Sequence, residues 1–377
     1  MERALARIDL GAVEANCRVL LGKLEHGAEL CAVVKADGYG HGMVACADAA
    51  LAGGASWLAV ATAEEARQLR EHLEGEGDGS PSPRLLCMGA LSALELDIAL
   101  ASGAEIAVWR PGFARLAAER AAAAGTPARV HVKYDTGMGR LGEPDPDAVL
   151  ELAATCAEAE SLELVGAWTH FATADEPDDS FFGEQLERFT ALAERVRAEH
   201  PGCLLHAANS AAVLRDPASH FDMARCGIAV YGLDPFGADP RPHGLRPALS
   251  LHSYVADVKR FSAGASAGYG RTWRAPAETS VGVLPIGYGD GVRRGLGNNA
   301  DVLVGGRRHP LVGTVSMDNV TIDLGPEPQV EPGTEAVLIG EQGEEEILTE
   351  ELARRLGTIN YEITCGISAR VPRLHVR

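Results

Sequence analysis

Cysteine pairs, long apolar runs and an excess of positive charge are all missing from this chain, and each absence excludes a class. Eight cysteines are scattered over 377 residues with no CxxC pair and no metal-ligand spacing, which argues against a disulfide framework and a zinc site. Cys31, Cys87 and Cys203 lie in apolar runs and read as small core residues, so a reduced, cytoplasmic protein without a metal is expected. Apolar runs are short and broken by glycine or charge, so no membrane span is expected. The opening residues Met1–Leu10 lack a positive segment followed by an apolar core, and no secretory signal is read there. Lys and Arg number 34 against 53 Asp and Glu, a formal charge of −19, which disfavours a nucleic-acid partner. No Walker loop or dinucleotide fingerprint precedes a helical pattern, so neither an NTPase nor an NAD enzyme is indicated.

What the chain does contain is alternation. Buried-type strands are expected at 29–35, 56–61, 84–88, 105–109, 129–135, 162–170, 204–208 and 224–231, the last interrupted by Gly227. Helical patterns fill most of the gaps. Asp9 is placed to cap a helix carrying Val13, Cys17, Leu20, Leu21 and Leu24. Thr62 with Glu65, and Ser92 with Glu95, have capping-box spacing just after a strand. The repeat predicts an α/β fold, a (β/α)8 TIM-type barrel over residues 1–240, although a doubly wound open sheet gives the same local pattern. Residues 74–83 read as a polar loop. Prolines then cluster (Pro235, Pro240, Pro242, Pro247), and the chain becomes β-runs joined by Gly and Pro turns, predicting a β-rich C-terminal domain over 241–377. A hairpin is expected over 302–312, and one late helix over 349–356 with Thr349 as its cap.

Barrel enzymes place their chemistry at the C-terminal ends of the strands. Lys35 ends the first strand, where a lysine can lose its charge and hold a carbonyl cofactor as an imine; a snorkelling strand-end lysine is the structural alternative. Lys133 and Arg140 follow the fifth strand, His170 ends the sixth, Asn209 and Ser210 follow the seventh, and Arg225 with Gly227 marks the eighth. Each could be structural alone, but their convergence on one barrel face points to a site. Ser210 and the Gly227–Ile228 backbone suit a phosphate. A lysine for an imine beside a phosphate cradle suggests pyridoxal 5′-phosphate.

The motifs Ala32-Val-Val-Lys-Ala-Asp-Gly-Tyr-Gly-His-Gly42, Lys133-Tyr-Asp-Thr-Gly-Met-Gly-Arg140, Thr169-His-Phe-Ala-Thr-Ala-Asp175 and His206-Ala-Ala-Asn-Ser210 resemble those of the alanine racemase family, the fold type III pyridoxal-phosphate enzymes. The resemblance continues through Arg225-Cys-Gly-Ile-Ala-Val-Tyr-Gly-Leu233, Gly268-Tyr-Gly-Arg-Thr-Trp273, Gly287-Tyr-Gly-Asp-Gly291, Ser316-Met-Asp-Asn319 and Ile359-Asn-Tyr-Glu362. It implies a head-to-tail homodimer with shared active sites, acting on alanine to supply D-alanine for peptidoglycan.

Roles follow by resemblance. Lys35 matches the lysine that binds the cofactor and serves as one acid/base, and Tyr269 matches the second, delivered by the partner subunit. Arg225 matches the residue facing the pyridine nitrogen. A guanidinium there leaves that nitrogen unprotonated and favours reprotonation at Cα over side reactions. His170 matches a member of the polar chain with Arg225. Ser210, Gly227, Ile228, Tyr39 and Tyr361 match phosphate contacts. Arg140 and the Met317 backbone match substrate-carboxylate contacts, Tyr288 matches an entrance tyrosine, and Lys133 matches a lysine often carbamylated. Ser316 stands where many members have cysteine, and Tyr134 where an apolar residue is usual. A broader racemase of small amino acids such as serine is the neighbouring alternative. A decarboxylase on a related barrel is disfavoured by Arg225, since a carboxylate normally faces the pyridine nitrogen there.

Overall fold

Eight parallel strands account for the first expectation. The computed structural model describes residues 2–75 and 82–377; residues 76–81 of the expected polar loop lie outside the described residues. After a first strand β1 (Leu5–Asp9), the barrel is formed by β2 (Glu29–Val33), β3 (Trp57–Val60), β4 (Arg84–Cys87), β5 (Glu105–Val108), β6 (Ala128–Lys133), β7 (Leu162–Trp168), β8 (Leu204–His206) and β9 (Met223–Cys226). They pair in sequence order from β2 to β8, with β9 on the other side of β2. No ladder joins β8 to β9, yet Asp222 N donates to Leu205 O at 2.9 Å and Arg225 N to Ala208 O at 2.9 Å. The barrel is therefore nearly closed, and the open-sheet alternative, whose strand order reverses partway, is excluded.

These strands are short apolar runs buried on both faces, as parallel strands covered by helices must be; Trp57, Leu58, Ala59 and Val60 are all buried. The helix Leu10–Lys23 starts where expected, Asp9 Oδ1 accepting Ala12 N at 2.9 Å. Both capping boxes form, with Ser92 bonded to Glu95 N and Thr62 Oγ1 accepting Glu65 N at 3.2 Å. The eighth strand is a correction: it stops at Cys226, and Ile228–Tyr231 is a 3-10 turn. Gly227 ends the run rather than interrupting it.

The chain divides into two compact units, one of residues 14–38 and 43–230 and the other of residues 1–13, 39–42 and 231–377. The second is mostly β. Its larger sheet orders Arg307–Pro310, Asp301–Val304, Glu335–Gln342, Leu249–Tyr254, β1 and Arg373–Val376, and a three-stranded sheet joins Asp257–Phe261, Thr279–Leu284 and Val320–Gly325. The expected hairpin turns on Gly305 and Gly306, both at positive φ (60° and 73°), as a type I′ turn requires. The late helix is Thr349–Leu356, but Thr349 is its first residue rather than its cap; Leu348 precedes it without a side-chain cap bond, and Thr349 Oγ1 donates to Glu350. Among the described residues no helix is long and apolar enough to cross a membrane.

Candidate active site

Lys35 follows β2 at the barrel mouth and opens a turn of unusual hand. Ala36, Asp37 and Gly38 have φ/ψ near 52/50, 54/48 and 60/43, and Tyr39 has φ 54. For L-residues the left-handed region costs about 1–2 kcal/mol each, so the turn needs outside support. Glu65 Oε1 accepts Ala36 N at 2.7 Å, while its Oε2 accepts Ala61 N and Thr62 N. Asp37 Oδ1 accepts Met43 N at 2.9 Å, and Gly38 N donates to Val34 O at 2.9 Å. One carboxylate thus caps the helix after β3 and pins the peptide after Lys35, fixing the direction in which the lysine leaves the barrel.

The rest of the site is built by β6 to β9, the last of them paired with β2. Lys133 ends β6, buried, its Nζ 4.0 Å from the Trp168 ring centre. Burial, with Arg225 and Arg140 nearby, pushes the Lys133 amine down to about 7. Arg225, also buried, lies 4.7 Å from the Trp168 ring and donates to His206 Nδ1 at 2.8 Å, Thr169 O at 2.8 Å and Ala207 O at 3.1 Å, with His170 Nδ1 at 3.4 Å. Burial and the charges of Arg225, Arg140, Lys133 and Lys35 hold His170 well below its ordinary value, so its imidazole is neutral. Trp168 Nε1 is buried and finds no acceptor among the described residues.

The loop carrying Arg140 is folded over Asp135, whose carboxylate accepts Gly137 N at 3.0 Å and Gly139 N at 2.9 Å. Gly137 has φ 136, and a Cβ there would meet the Phe181 ring at 2.5 Å. Gln185 ties this loop to the one after β7: it donates to Thr136 Oγ1 at 2.9 Å and His170 O at 3.3 Å, and accepts Ala172 N at 2.7 Å. After β8, Ser210 Oγ accepts Gly227 N at 3.0 Å and Ala229 N at 3.3 Å, bringing the hydroxyl and the Gly227–Ile228 turn together. Asn209 has a capping role, accepting Ala212 N at 3.0 Å.

The second unit holds the remaining candidates. The Tyr39 ring lies 5.2 Å from Tyr231 and 5.9 Å from Tyr361. The turn bearing Tyr361 is anchored by Asn360, which donates to Asp234 O at 2.8 Å and Glu350 Oε1 at 2.9 Å. Tyr288 and Met317 sit on adjoining loops, Tyr288 N donating to Ser316 O and Gly289 N to Met317 O, both at 2.9 Å. Buried Asp290 holds the Tyr288 loop by accepting Gly287 N at 2.9 Å and both Arg3 terminal nitrogens. Tyr269 is 73% exposed, Met317 52% and Tyr288 44%, a concentration of large apolar side chains left open on one chain.

The barrel thus gathers Lys35, Lys133, Arg140, His170, Ser210, Arg225, Gly227 and Ile228, while Tyr39, Tyr269, Tyr288, Met317 and Tyr361 belong to the other unit. Sequence reasoning missed Glu65, Gln185, Trp168 and the histidine pair His131 and His206. His131 had a signal: it stands two residues before Lys133 on one strand, hence on the same face.

This donor set fits an anionic, aromatic cofactor. The polar side chains near Trp168 are the Arg225 guanidinium, the Lys133 amine and a neutral imidazole, beside the apolar Ala107, Trp109, Met88 and Leu141, and Arg225 is bonded to neutral acceptors alone. The Ser210–Gly227 pair offers a hydroxyl and backbone N–H groups of the kind phosphates bind.

Comparison with known proteins agrees. Residues 8–235 match the family model described as "Alanine racemase, N-terminal domain" and residues 248–375 the model "Alanine racemase, C-terminal domain". The alanine racemase of Symbiobacterium thermophilum is 43% identical over 376 residues, covering 100% of this chain and 97% of its own. The structure of the Streptomyces coelicolor A3(2) alanine racemase superposes with TM-score 0.92 at 39% identity, covering 99% of this chain and 98% of that one. The Bacillus anthracis alanine racemase with bound L-Ala-P superposes with TM-score 0.90 at 36% identity, covering 100% and 96%.

Proposed function

Since the chain belongs to the alanine racemase family, a family of racemases, we propose that it interconverts L- and D-alanine with pyridoxal 5′-phosphate, as a cytoplasmic homodimer supplying D-alanine for peptidoglycan. The observation that carries this reading is the buried Arg225, held by His206, Thr169 and Ala207 on β9, the strand paired with the β2 strand that Lys35 follows.

In this reading Lys35 binds the cofactor covalently, Ser210, Gly227, Ile228, Tyr39 and Tyr361 hold its phosphate, and Arg225 faces its ring nitrogen, with His170 beside it. The bound cofactor supplies an electron sink that acidifies the substrate Cα–H. Lys35 Nζ takes or returns the proton on one face of Cα; Tyr269 Oη of the partner subunit serves the other face. Arg140 binds the substrate carboxylate as a two-pronged donor, helped by the Met317 backbone N–H, and Tyr288 of the partner subunit narrows the entrance to favour a methyl side chain. We place the barrel domain over residues 1–240 and the β-rich domain over 241–377, with residues 1–13, β1 among them, 39–42 and 231–240 grouping with the latter. The test is L-alanine in heavy water: deuterium enters at Cα as optical rotation is lost. Rotation retained, or an equal rate on L-serine, contradicts the assignment to alanine.

Lys133 is proposed to carry a carbamate. A neutral amine adds carbon dioxide, RNH2 + CO2 giving RNHCOO− and H+, and a value near 7 keeps much of this amine neutral at physiological pH. The resulting anion would orient Arg140 instead of repelling it. The unfolded lysine holds its proton up to about 10.5, the unmodified folded one only to about 7. The cost of burying the ammonium is therefore full below pH 7 and is relieved as pH rises towards 10.5. Activity in carbon dioxide-free buffer should fall as pH drops through 7 and recover on adding bicarbonate, and 13C-bicarbonate should give a carbamate carbon signal. No bicarbonate effect and no such signal would show a bare amine.

A further inference from the structure

A polar chain crosses the barrel interior, where layers of branched apolar side chains are usual. Arg225 donates to His206 Nδ1 at 2.8 Å; His206 Nε2 lies 3.0 Å from His131 Nδ1; His131 Nε2 lies 2.8 Å from Glu105 Oε2. Glu105 begins β5 at the far end of the barrel, clamped by Arg84 at 2.6 and 2.8 Å and paired with Arg129 at 3.3 Å. Every proton in this chain is determined. A guanidinium only donates, so His206 Nδ1 must present a lone pair, and a neutral imidazole then carries its proton on Nε2. His131 Nδ1 must accept that proton's bond, which leaves the His131 proton on Nε2, where a carboxylate accepts it. An imidazolium at either ring would set N–H against N–H.

Two features show that the chain is built in. The pairing of β6 with β7 slips between Val130 and His131, setting His131 opposite Gly166, and a Cβ on Gly166 would lie 2.1 Å from His131 Nδ1. The bulge and the missing side chain together make room for the ring. Aromatic neighbours fix both planes: Trp168 is stacked on His206 at 5.6 Å and 6°, and Trp57 meets His131 edge-on at 5.9 Å. Burial lowers both histidines below their ordinary values, consistent with neutral rings.

We propose that Glu105 is a positioning residue of Arg225, acting through two neutral imidazoles whose tautomers it and Arg225 fix from opposite ends. The functional weight of this relay rests on Arg225 facing the cofactor ring; the protonation pattern does not. All four bonds to Arg225 end on neutral groups, so the relay supplies its link to a carboxylate. Uncompensated, a buried guanidinium is costly and free to shift towards water, and a displacement of about 1 Å at a reacting centre can cost on the order of 10²-fold in rate.

Neutron diffraction on deuterium-exchanged crystals of the wild-type holoenzyme tests the protonation pattern. Deuterons are expected on Nε2 of His131 and His206 and on neither Nδ1; a deuteron on either Nδ1 overturns the relay. His131→Phe removes both bonds, whereas His131→Gln offers an amide oxygen to His206 and an N–H to Glu105. The phenylalanine variant is expected to lose on the order of 10²-fold in kcat with KM little changed, and the glutamine variant to recover most of it. Wild-type kcat in His131→Phe, or equal losses in the two variants, refutes the positioning role. Absence of racemase activity in the wild type would instead sink the proposed function while the neutron result still stands.

Discussion

Lys35→Ala is expected to abolish racemisation, with kcat falling by about 10⁴-fold or more. A positioned acid/base alone contributes typically 10²–10⁴-fold, and this residue is also proposed as the covalent anchor of the cofactor. The visible absorbance of the covalently held cofactor should vanish with it. Because the left-handed turn is secured by Glu65, Asp37 and the Val34 carbonyl, the variant should fold, with an apoenzyme melting transition close to that of the wild type. The paired readout is informative: activity lost with folding intact places Lys35 in the chemistry. A variant that racemises within about tenfold of wild type would remove the lysine from the mechanism, since general acid/base removal costs more than that.

Tyr269→Phe is expected to separate the two faces of the stereocentre. Overall racemisation should fall by about 10²–10⁴-fold through loss of one proton carrier, while Lys35 still exchanges the Cα proton of one enantiomer with solvent. In heavy water one enantiomer should then incorporate deuterium without inverting and the other should not exchange at all. KM should move little, because carboxylate recognition is assigned to Arg140 and Met317. Tyr269 is 73% exposed on the single chain, and the substitution removes only its hydroxyl and keeps the ring, so the unit that carries it should fold as wild type. Equal exchange of both enantiomers would show that a different group serves the second face.

The barrel was legible because its strands are continuous apolar runs separated by helical periodicity, a pattern that burial on both faces imposes. The C-terminal unit is legible as β-rich from its turns, but β1 is not: Leu5–Asp9 alternates, burying Ala6 and Ile8, yet five residues running straight into a helix are too few to separate from a helix lead-in. The eighth strand is shorter than its composition predicts, because Gly227 and the apolar Ile228–Tyr231 continue the composition of a strand while the backbone turns into a 3-10 helix. At the site, residues in recognisable motifs were readable one by one. What escaped was their support. Glu65 reads as half of a helix cap, and nothing in its spacing announces that its second oxygen holds the peptide after Lys35. His131, His206 and Glu105 are far apart in sequence and meet only when the barrel curls, so their chain is a property of closure and of the bulge opposite Gly166.

In the proposed dimer each active site takes Lys35 from one polypeptide and Tyr269 from the other, a sharing that subunit mixing exposes. Lys35→Ala and Tyr269→Phe homodimers, each inactive, are unfolded together, refolded and assayed. If sites are shared across a symmetric dimer, about half of the dimers pair the two variants and each of these has one intact site, so about one quarter of wild-type activity should return. No recovery above the separate variants, from dimers shown to have exchanged subunits, would contradict the account.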